Sequence, residues 1–472
     1  MFWPTARSSI PAIKTWLLSS RKMATPNIPR QRDSMSNDNL STAAQAFIEQ
    51  HGALSAPDGA PWLIDLRDKG LSAFSDQGLP TQKLEDWKYT SLQPLDQIGF
   101  TVCNGKSSLT QDDLPRLTSA ETEVHHLVFH NGHYCADLSN IGDLPTGVRV
   151  INLADNLTEL EPHVAKVGSY ENTPVLALNT AYIEDGYAVL IDGVELTVPI
   201  EILYISEADD GPAAYHPRNI IVTANNSRVT ILERHIGIGD GICLANHAVE
   251  VSVASGSRVK HFRSFEESAG SFNLSAVKAE VGRDAAYESF VMSLGGKLGR
   301  SEIDVALNEP GAETKLNGVY LADHDQHVDH TTNITHNAPH TTSQETYKGA
   351  LDGKSRAVFQ GAILVAEGAD KADGRMSNKT LLLSDDTEID SKPQLEIYAD
   401  DVKCAHGSTA GELDEEALFY LRSRGLPENQ ARALLVVGFL SEVVEDFDDS
   451  DLADLFKEKI TRWLKPPGKT EN

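Results

Sequence analysis

The stretch from Asn219 to Glu266, NIIVTANNSRVTILERHIGIGDGICLANHAVEVSVASGSRVKHFRSFE, contains one pattern twice. A β-branched run, NIIVTA, meets a polar turn at Asn225-Asn226 and is followed by RVTILERHI; then HAVEVSVA meets Ser255-Gly256 and is followed by RVKHFRSFE. Val, Ile and Thr suit a pleated surface, while Asn and Gly tolerate turn backbone, so each unit reads as strand, corner, strand. Related runs are IEILYIS upstream and FNLSAVKAEV, AYESFVMSL, SEIDVAL and RAVFQGAILV downstream, with corners at Gly282-Arg283, Pro310-Gly311 and Asp352-Gly353. The corners fall mostly about 26 to 30 residues apart, within the period that marks a solenoid. A coil of strands cannot bury its own apolar face and must stack on the next, which predicts a mainly β fold, a parallel β-helix. About 210 residues at roughly 25 per coil give eight or nine coils. Paired β-sandwiches would need tight Asn-Gly or Asp-Gly hairpins at about every tenth residue, and that signal is rare here.

Helical periodicity flanks this body. Upstream, AAQAFIEQHG behind a Ser41 cap and a run from Ala60 to Leu71, ending near Gly70, read as helices. In KLEDWKYTSL (83–92), Trp87 and Tyr89 read as anchors that pack this cap on the next domain. Residues 100–190 read as short strands and turns. Downstream, ELDEEALFYLRSRG has acids in its first turn, Arg422 and Arg424 in its last and Gly425 beyond, which complements the helix dipole at both ends. Pro427 opens a second helix, whose Leu434, Leu435, Val437, Phe439, Leu440, Val443 and Val444 give an apolar surface wide enough for more than one neighbour. A third helix, about Leu452 to Leu464, stops before Pro466-Pro467. The expected organisation is 1–34 outside the fold and disordered, 35–190 a helical and mixed cap, 191–410 the β-helix and 411–472 a helical region that acts as a cap or as a docking surface.

Charge and cysteines bound the partners. With 41 basic and 69 acidic residues the net charge is -28, a surface that repels polyanions and excludes nucleic acid as a main partner. The longest apolar run, ALLVVGFL (433–440), is too short to cross a bilayer, so no membrane association is expected. Cys103, Cys135, Cys243 and Cys404 form no CxxC and no close pair, which fits a reducing compartment. Residues 1–32 stand apart, with Arg7, Lys14, Arg21, Lys22, Arg30 and Arg32 and no acid. That composition reads as an upstream start assigned in error, with Met23 and Met35 as alternative initiators, or as an organellar transit peptide.

No phosphate loop is present. Gly105-Lys106-Ser107, Gly353-Lys354-Ser355 and Gly468-Lys469-Thr470 each lack a glycine at the required spacing, so no ATP is expected to bind this chain. The densest ligand cluster is ADHDQHVDHTTNITHNAPH, with His324, His327, His330, His336 and His340 among Asp323, Asp325 and Asp329. Imidazoles mixed with carboxylates suit Fe2+ or Zn2+, while a polar ladder on solenoid strands is the simpler account. In KPQLEIYADDVKCAHG the alternation puts Cys404 and His406 on one face of a strand. Such a pair is two metal ligands, or a nucleophile and a base, or a small buried Cys beside a surface His. As ligands they are half a coordination sphere, and near the last coil a second polypeptide can complete it.

The segments KPQLEIYADDVKCAHG and ELDEEALFYLRSRGL, with YKGALDGKSRAVFQGAILV (347–365), ADGRMSNKTLLL (372–383) and KLEDWKYTSL (83–92), resemble the SufB/SufD family of iron-sulfur cluster scaffolds, on its SufD side. The resemblance implies a right-handed β-helix between helical ends and a non-catalytic scaffold subunit. It further implies pairing with SufB and docking of the SufC ATPase, which would hydrolyse the ATP; whether a second copy of this chain takes the place of SufB in its absence is left open by the sequence. His406, with Cys404 in the same matching segment, then faces a cysteine of SufB across the SufB to SufD interface, and the cargo is iron or a transient iron-sulfur cluster, with reduced flavin used in the complex. Ala405-His406-Gly407 replaces the Glu-His-Glu of SufB, and no cysteine lies between Asn378 and Lys403, so the match is to SufD. A cytoplasmic protein is expected, or a plastid one where residues 1–34 act as a transit peptide. The competing class is a β-helix polysaccharide lyase or hydrolase, which would need paired carboxylates in a groove with exposed aromatics; aromatic content here is only 7%.

Overall fold

Successive strands alternate between two sheets. Arg218–Thr223, Cys243–Val253, Phe272–Val281, Leu298–Leu307, His327–His336, Arg356–Val365 and Glu388–Ile397 pair in that order in one sheet. Arg228–Gly237, Arg258–Glu266, Ala286–Ser293, Glu313–Ala322, Thr342–Leu351, Asp373–Leu382 and Lys403–Gly411 pair in the other. All of these pairings are parallel and in register. Ser301 pairs with His330, His330 with Phe359 and Phe359 with Ser391, so a coil takes 29 residues twice and then 32. The computed structural model describes residues 40–54, 60–103, 108–114, 117, 124–208, 211–447 and 449–464. The basic segment 1–34 and the Pro466-Pro467 stop therefore lie outside the described residues. The chain is a mainly β solenoid of about eight turns with helices at both ends, as its periodicity predicts.

The corners explain the polar turns. Asn226, Gly256, Asp284, Gly311, His340 and Lys371 hold successive turns at φ values of 52° to 75°, and only glycine does so without a Cβ penalty. Asn226 N–H donates to Ser255 O, Gly256 N–H to Arg283 O and His340 N–H to Asp370 O, at 2.9 to 3.0 Å. Each corner thus hydrogen-bonds to the next coil, and the backbone that leaves one sheet is not orphaned before it enters the other.

Inside, Val249, Val277, Ile303, Val291, Leu316, Tyr320, Tyr347, Phe359 and Ile363 belong to one continuous core. Tyr347 is the Cα partner of Gly318, and Tyr320 of Gly349. A methyl group on either glycine would fall within the opposing ring, so the missing side chains make room for the two tyrosines.

Helices cover both outer faces. α1 (Thr42–Gln50), α2 (Pro61–Gln77) and α3 (Pro174–Ala181) lie over the first sheet, where Phe47, Phe74 and Leu178 pack with Leu244, Phe272 and Leu298. The Ser41 hydroxyl caps α1 by accepting from Ala44 N–H at 3.3 Å. The expected stop near Gly70 is corrected: α2 continues to Gln77, and a Cβ at Gly70 would lie 2.6 Å from Ala181 N. That glycine serves close packing of α2 on α3. α4 (Glu415–Ser423), α5 (Glu428–Val444) and α6 (Ser450–Leu464) follow the last strand. Val436, Leu440, Val443 and Phe456 pack on Phe262, Phe290, Val319 and Ala350 of the second sheet.

Candidate functional site

The solenoid ends open. Glu388–Ile397 and Lys403–Gly411 are the terminal strands of their sheets, so each presents a row of backbone donors and acceptors with no further strand among the described residues. Coils further in are buried on their inner face by the next coil. Here that cover is missing, and most of Lys403–Gly411 is exposed.

Cys404 and His406 lie on this last strand with the same parity. Their Cα partners, Gly374 and Met376, mark the inward column, since Met376 is 3% exposed and belongs to the core. Both side chains therefore stand over the lumen at its uncovered end. Cys404 is half-buried against the core and His406 is exposed. Partial burial pushes the Cys404 thiol up, as does the Asp373 carboxylate, against a backbone hydrogen bond at Gly374 that lowers it. The free chain thus holds a thiol, and a metal would have to displace its proton. Ser408 donates to Ser391 at 2.8 Å across the same mouth.

The other predicted ligands do not converge. His324 and His340 sit at corners with φ of 56° and 57°, a backbone that histidine tolerates better than most residues. His327 bonds to the Thr90 hydroxyl at 2.9 Å, on the outer face. His330 and His336 have the opposite parity and are buried in the lumen, where desolvation lowers each to about 4. The His330 ring lies between Tyr320 and Tyr347 and within 3.3 Å of Ser293 Oγ, while His336 bonds to Thr341 and Ser343. The metal site expected from His324, His327 and His330 is not assembled, because one strand and its corners send these rings in different directions.

The predicted docking residues also divide. Leu440 and Val443 are corrected from docking to core, as they are 0% and 2% exposed against the chain's own sheet. Leu435, Val437 and Phe439 are partly covered, with the Lys348 ammonium 4.4 Å from the Phe439 ring. Leu434 is 52% exposed, and α4 adds Phe419 at 75% and Tyr420 at 55%, which the sequence reading passed over. A helix two-thirds apolar does not reveal which stripe meets its own sheet.

KLEDWKYTSL forms a strap across the first sheet. The Arg300 guanidinium lies 4.0 Å over the Trp87 ring, the Thr90 hydroxyl donates to Asp329, Gln360 donates to Asp86 O at 3.0 Å, and Lys392 pairs with Glu85. These partners come from four successive coils, so the N-terminal cap reaches the terminal coil. A buried group that the sequence reading missed is Glu233, His235 and His247. Its trace in sequence is the Glu-x-His of RVTILERHI, the same two-residue spacing as Cys404 and His406.

Other chemistry finds less support. The concavity between Cys103, His133, Glu184 and Tyr215 holds about 10 Å³, and that between Phe262, Phe290, Asn317 and Phe447 about 30 Å³. Exposed Tyr398 lies just past the terminal strand Glu388–Ile397, and exposed Phe419 and Tyr420 lie on α4. No helix among the described residues is long and apolar enough to cross a membrane.

Comparison with known proteins places these features in a family context. Residues 204–439 match the family model described as SUF system FeS cluster assembly, SufBD core domain, and residues 39–202 match the SufBD protein N-terminal region. A SufBD family iron-sulfur cluster assembly protein of Synechocystis is 30% identical over 429 residues, 88% of this chain and 94% of its own. The iron-sulfur cluster assembly protein SufD of Escherichia coli is 31% identical over 389 residues, 82% of this chain and 90% of its own. A chloroplastic Arabidopsis protein, ABCI7, is 26% identical over 463 residues, 96% of each chain.

Proposed function

Since the chain belongs to the SufBD family of SUF iron-sulfur cluster assembly proteins, we propose that it is a non-catalytic scaffold subunit whose open solenoid end pairs with SufB around a nascent cluster. The observation that carries this reading is the terminal coil: two unpaired sheet edges and, between them, Cys404 and His406 over an uncovered lumen. Two edges of 10 and 9 residues are a template for continuing both sheets into a second chain. A partner seated there covers the half-buried thiol and the exposed imidazole together and supplies the ligands they lack. Low coordination by each partner suits a scaffold that must release its iron or cluster cargo. Where SufB is absent, the same edges are available to a second copy of this chain.

The ATPase SufC docks, in this reading, on residues 411–472, through Phe419, Tyr420 and Leu434 with the partly covered Leu435, Val437 and Phe439. The absence of a phosphate loop in the sequence agrees with ATP being hydrolysed by that partner. Iron acquisition is the further step in which Cys404 and His406 would take part. The compartment is the cytoplasm, or a plastid where residues 1–34 direct import, a choice to which the chloroplastic relative is pertinent.

The test is His406→Ala in a complex rebuilt with SufB and SufC. Because His406 is exposed, its loss costs the fold no more than about 0.5 kcal/mol, while cluster formation, followed by visible absorption and iron and sulfide content, falls to background. Full cluster yield from a correctly assembled variant complex overturns the proposal.

A further inference from the structure

Glu233, His235 and His247 offer ligand atoms that all lie within 4.8 Å of one another, and all three side chains are buried. The first two belong to Arg228–Gly237 in one sheet, and the third to Cys243–Val253 in the other, so the group bridges the lumen between facing sheets. The His235 and His247 rings meet edge to face with centroids 4.1 Å apart. Tyr204 and Phe265 stack on either side of His235, and Tyr215 lies against His247.

Hydrogen bonding accounts for only part of this cluster. Glu233 accepts from Tyr187 OH at 2.7 Å and contacts His235 Nε2 at 2.7 Å and His261 Nε2 at 3.2 Å. By contrast, neither ring nitrogen of His247 has a partner among the described residues, and neither does His235 Nδ1. His247 is 0% exposed. Buried polar groups are nearly always paired, so an imidazole with neither nitrogen partnered among the described residues, set against a second imidazole and a carboxylate, is a donor arrangement that a ligand would satisfy.

We propose that Glu233, His235 and His247 bind one divalent first-row transition ion, of the Fe2+ or Zn2+ class, inside the solenoid as a pin between its two sheets. Two imidazoles and one carboxylate are the donor set such ions favour, whereas Ca2+ and Mg2+ ask for oxygen ligands. His261 and Tyr187 hold the carboxylate from behind, the outer-shell support that metal-binding groups usually have. The centre is separate from Cys404 and His406 and does not depend on the scaffold reading.

The full-length protein, produced in cells supplied with Fe2+, Zn2+ or Co2+ and purified without oxygen, is assayed for metal per chain by mass spectrometry. The expected result is about one equivalent, retained in Cys404→Ser/His406→Ala and reduced at least fivefold in His247→Phe and Glu233→Gln. X-ray absorption at the metal edge of the Cys404→Ser/His406→Ala protein should show nitrogen and oxygen neighbours with an imidazole signature and no sulfur, a readout that stands even where the His247 and Glu233 variants fail to fold. Metal-free protein from every supplement, a sulfur neighbour, or loss of metal with Cys404→Ser/His406→Ala overturns the proposal, and metal-free protein identifies the cluster as a hydrogen-bonded or hydrated core instead.

Discussion

Glu345 should make the solenoid less stable as pH rises, and Glu345→Gln should remove that dependence. The side chain points into the lumen from Thr342–Leu351, with Leu316 and Met376 as Cα partners, and is 1% exposed. Neither carboxyl oxygen has a partner in strict hydrogen-bond geometry among the described residues, although the Thr332 hydroxyl approaches closely enough to favour the anion. Desolvation prevails and raises the group from 4.5 to about 8. The folded chain therefore keeps a proton that the unfolded chain releases. Stability from this group is whole below pH 4.5, falls by about 1.4 kcal/mol per pH unit above it and is gone above about pH 8, up to about 5 kcal/mol in all. Relaxation of the lumen or an entering water would reduce the total to about half, leaving a difference of about 2 to 3 kcal/mol that denaturation still resolves. Glutamine keeps the shape without the ionisation. Urea unfolding of both proteins at pH 5, 6, 7 and 8 cancels the other titrating groups in the difference. The variant should gain steadily on the wild type across that range. A difference that does not change with pH refutes the reasoning, because it would mean that Glu345 is ionised, or solvated, in the native state.

Three other outcomes follow from the packing. Gly349→Ala places a methyl group in the Tyr320 ring and should cost about 1 to 3 kcal/mol or more, seen as a lower thermal midpoint with an unchanged strand signal. Cys404, its thiol raised by burial and by Asp373, should alkylate more slowly at pH 7.5 than an unperturbed cysteine and accelerate as pH rises through the thiol range; mass-resolved labelling reads this, and rapid reaction at neutral pH contradicts it. Leu434→Asp, on an exposed position, should shift stability by no more than about 0.5 kcal/mol while weakening capture of SufC, whereas Leu440→Asp buries a charge and should unfold the C-terminal helices, a contrast that pull-down and circular dichroism resolve.

The fold was readable because its determinants are local and repeated. Runs such as NIIVTA and HAVEVSVA favour strand wherever they occur, and Asn226, Gly256 and Gly311 favour corners, so a period near 29 residues carries the stacking direction with it. That Cys404 and His406 share one face of their strand was equally readable, since alternation along one strand is a local matter, whereas the inward direction of that face was not. The five histidines of 324–340 were not, because sequence proximity on a strand says nothing of which corner or face each ring takes.

Composition, charge and period by themselves determined a β-solenoid between helical ends, with no phosphate loop and with Cys404 and His406 side by side near its last coil. Tertiary structure alone decided that Gly70 packs helix on helix, that Leu440 is core while Leu434 is surface, and that residues 83–92 strap four coils together. It also decided that Glu233 and His235 meet His247 across the lumen. The physical reason is the range of the forces involved: strand and corner preferences act within a few residues, whereas a buried constellation is the product of two sheets facing each other, which no single segment encodes.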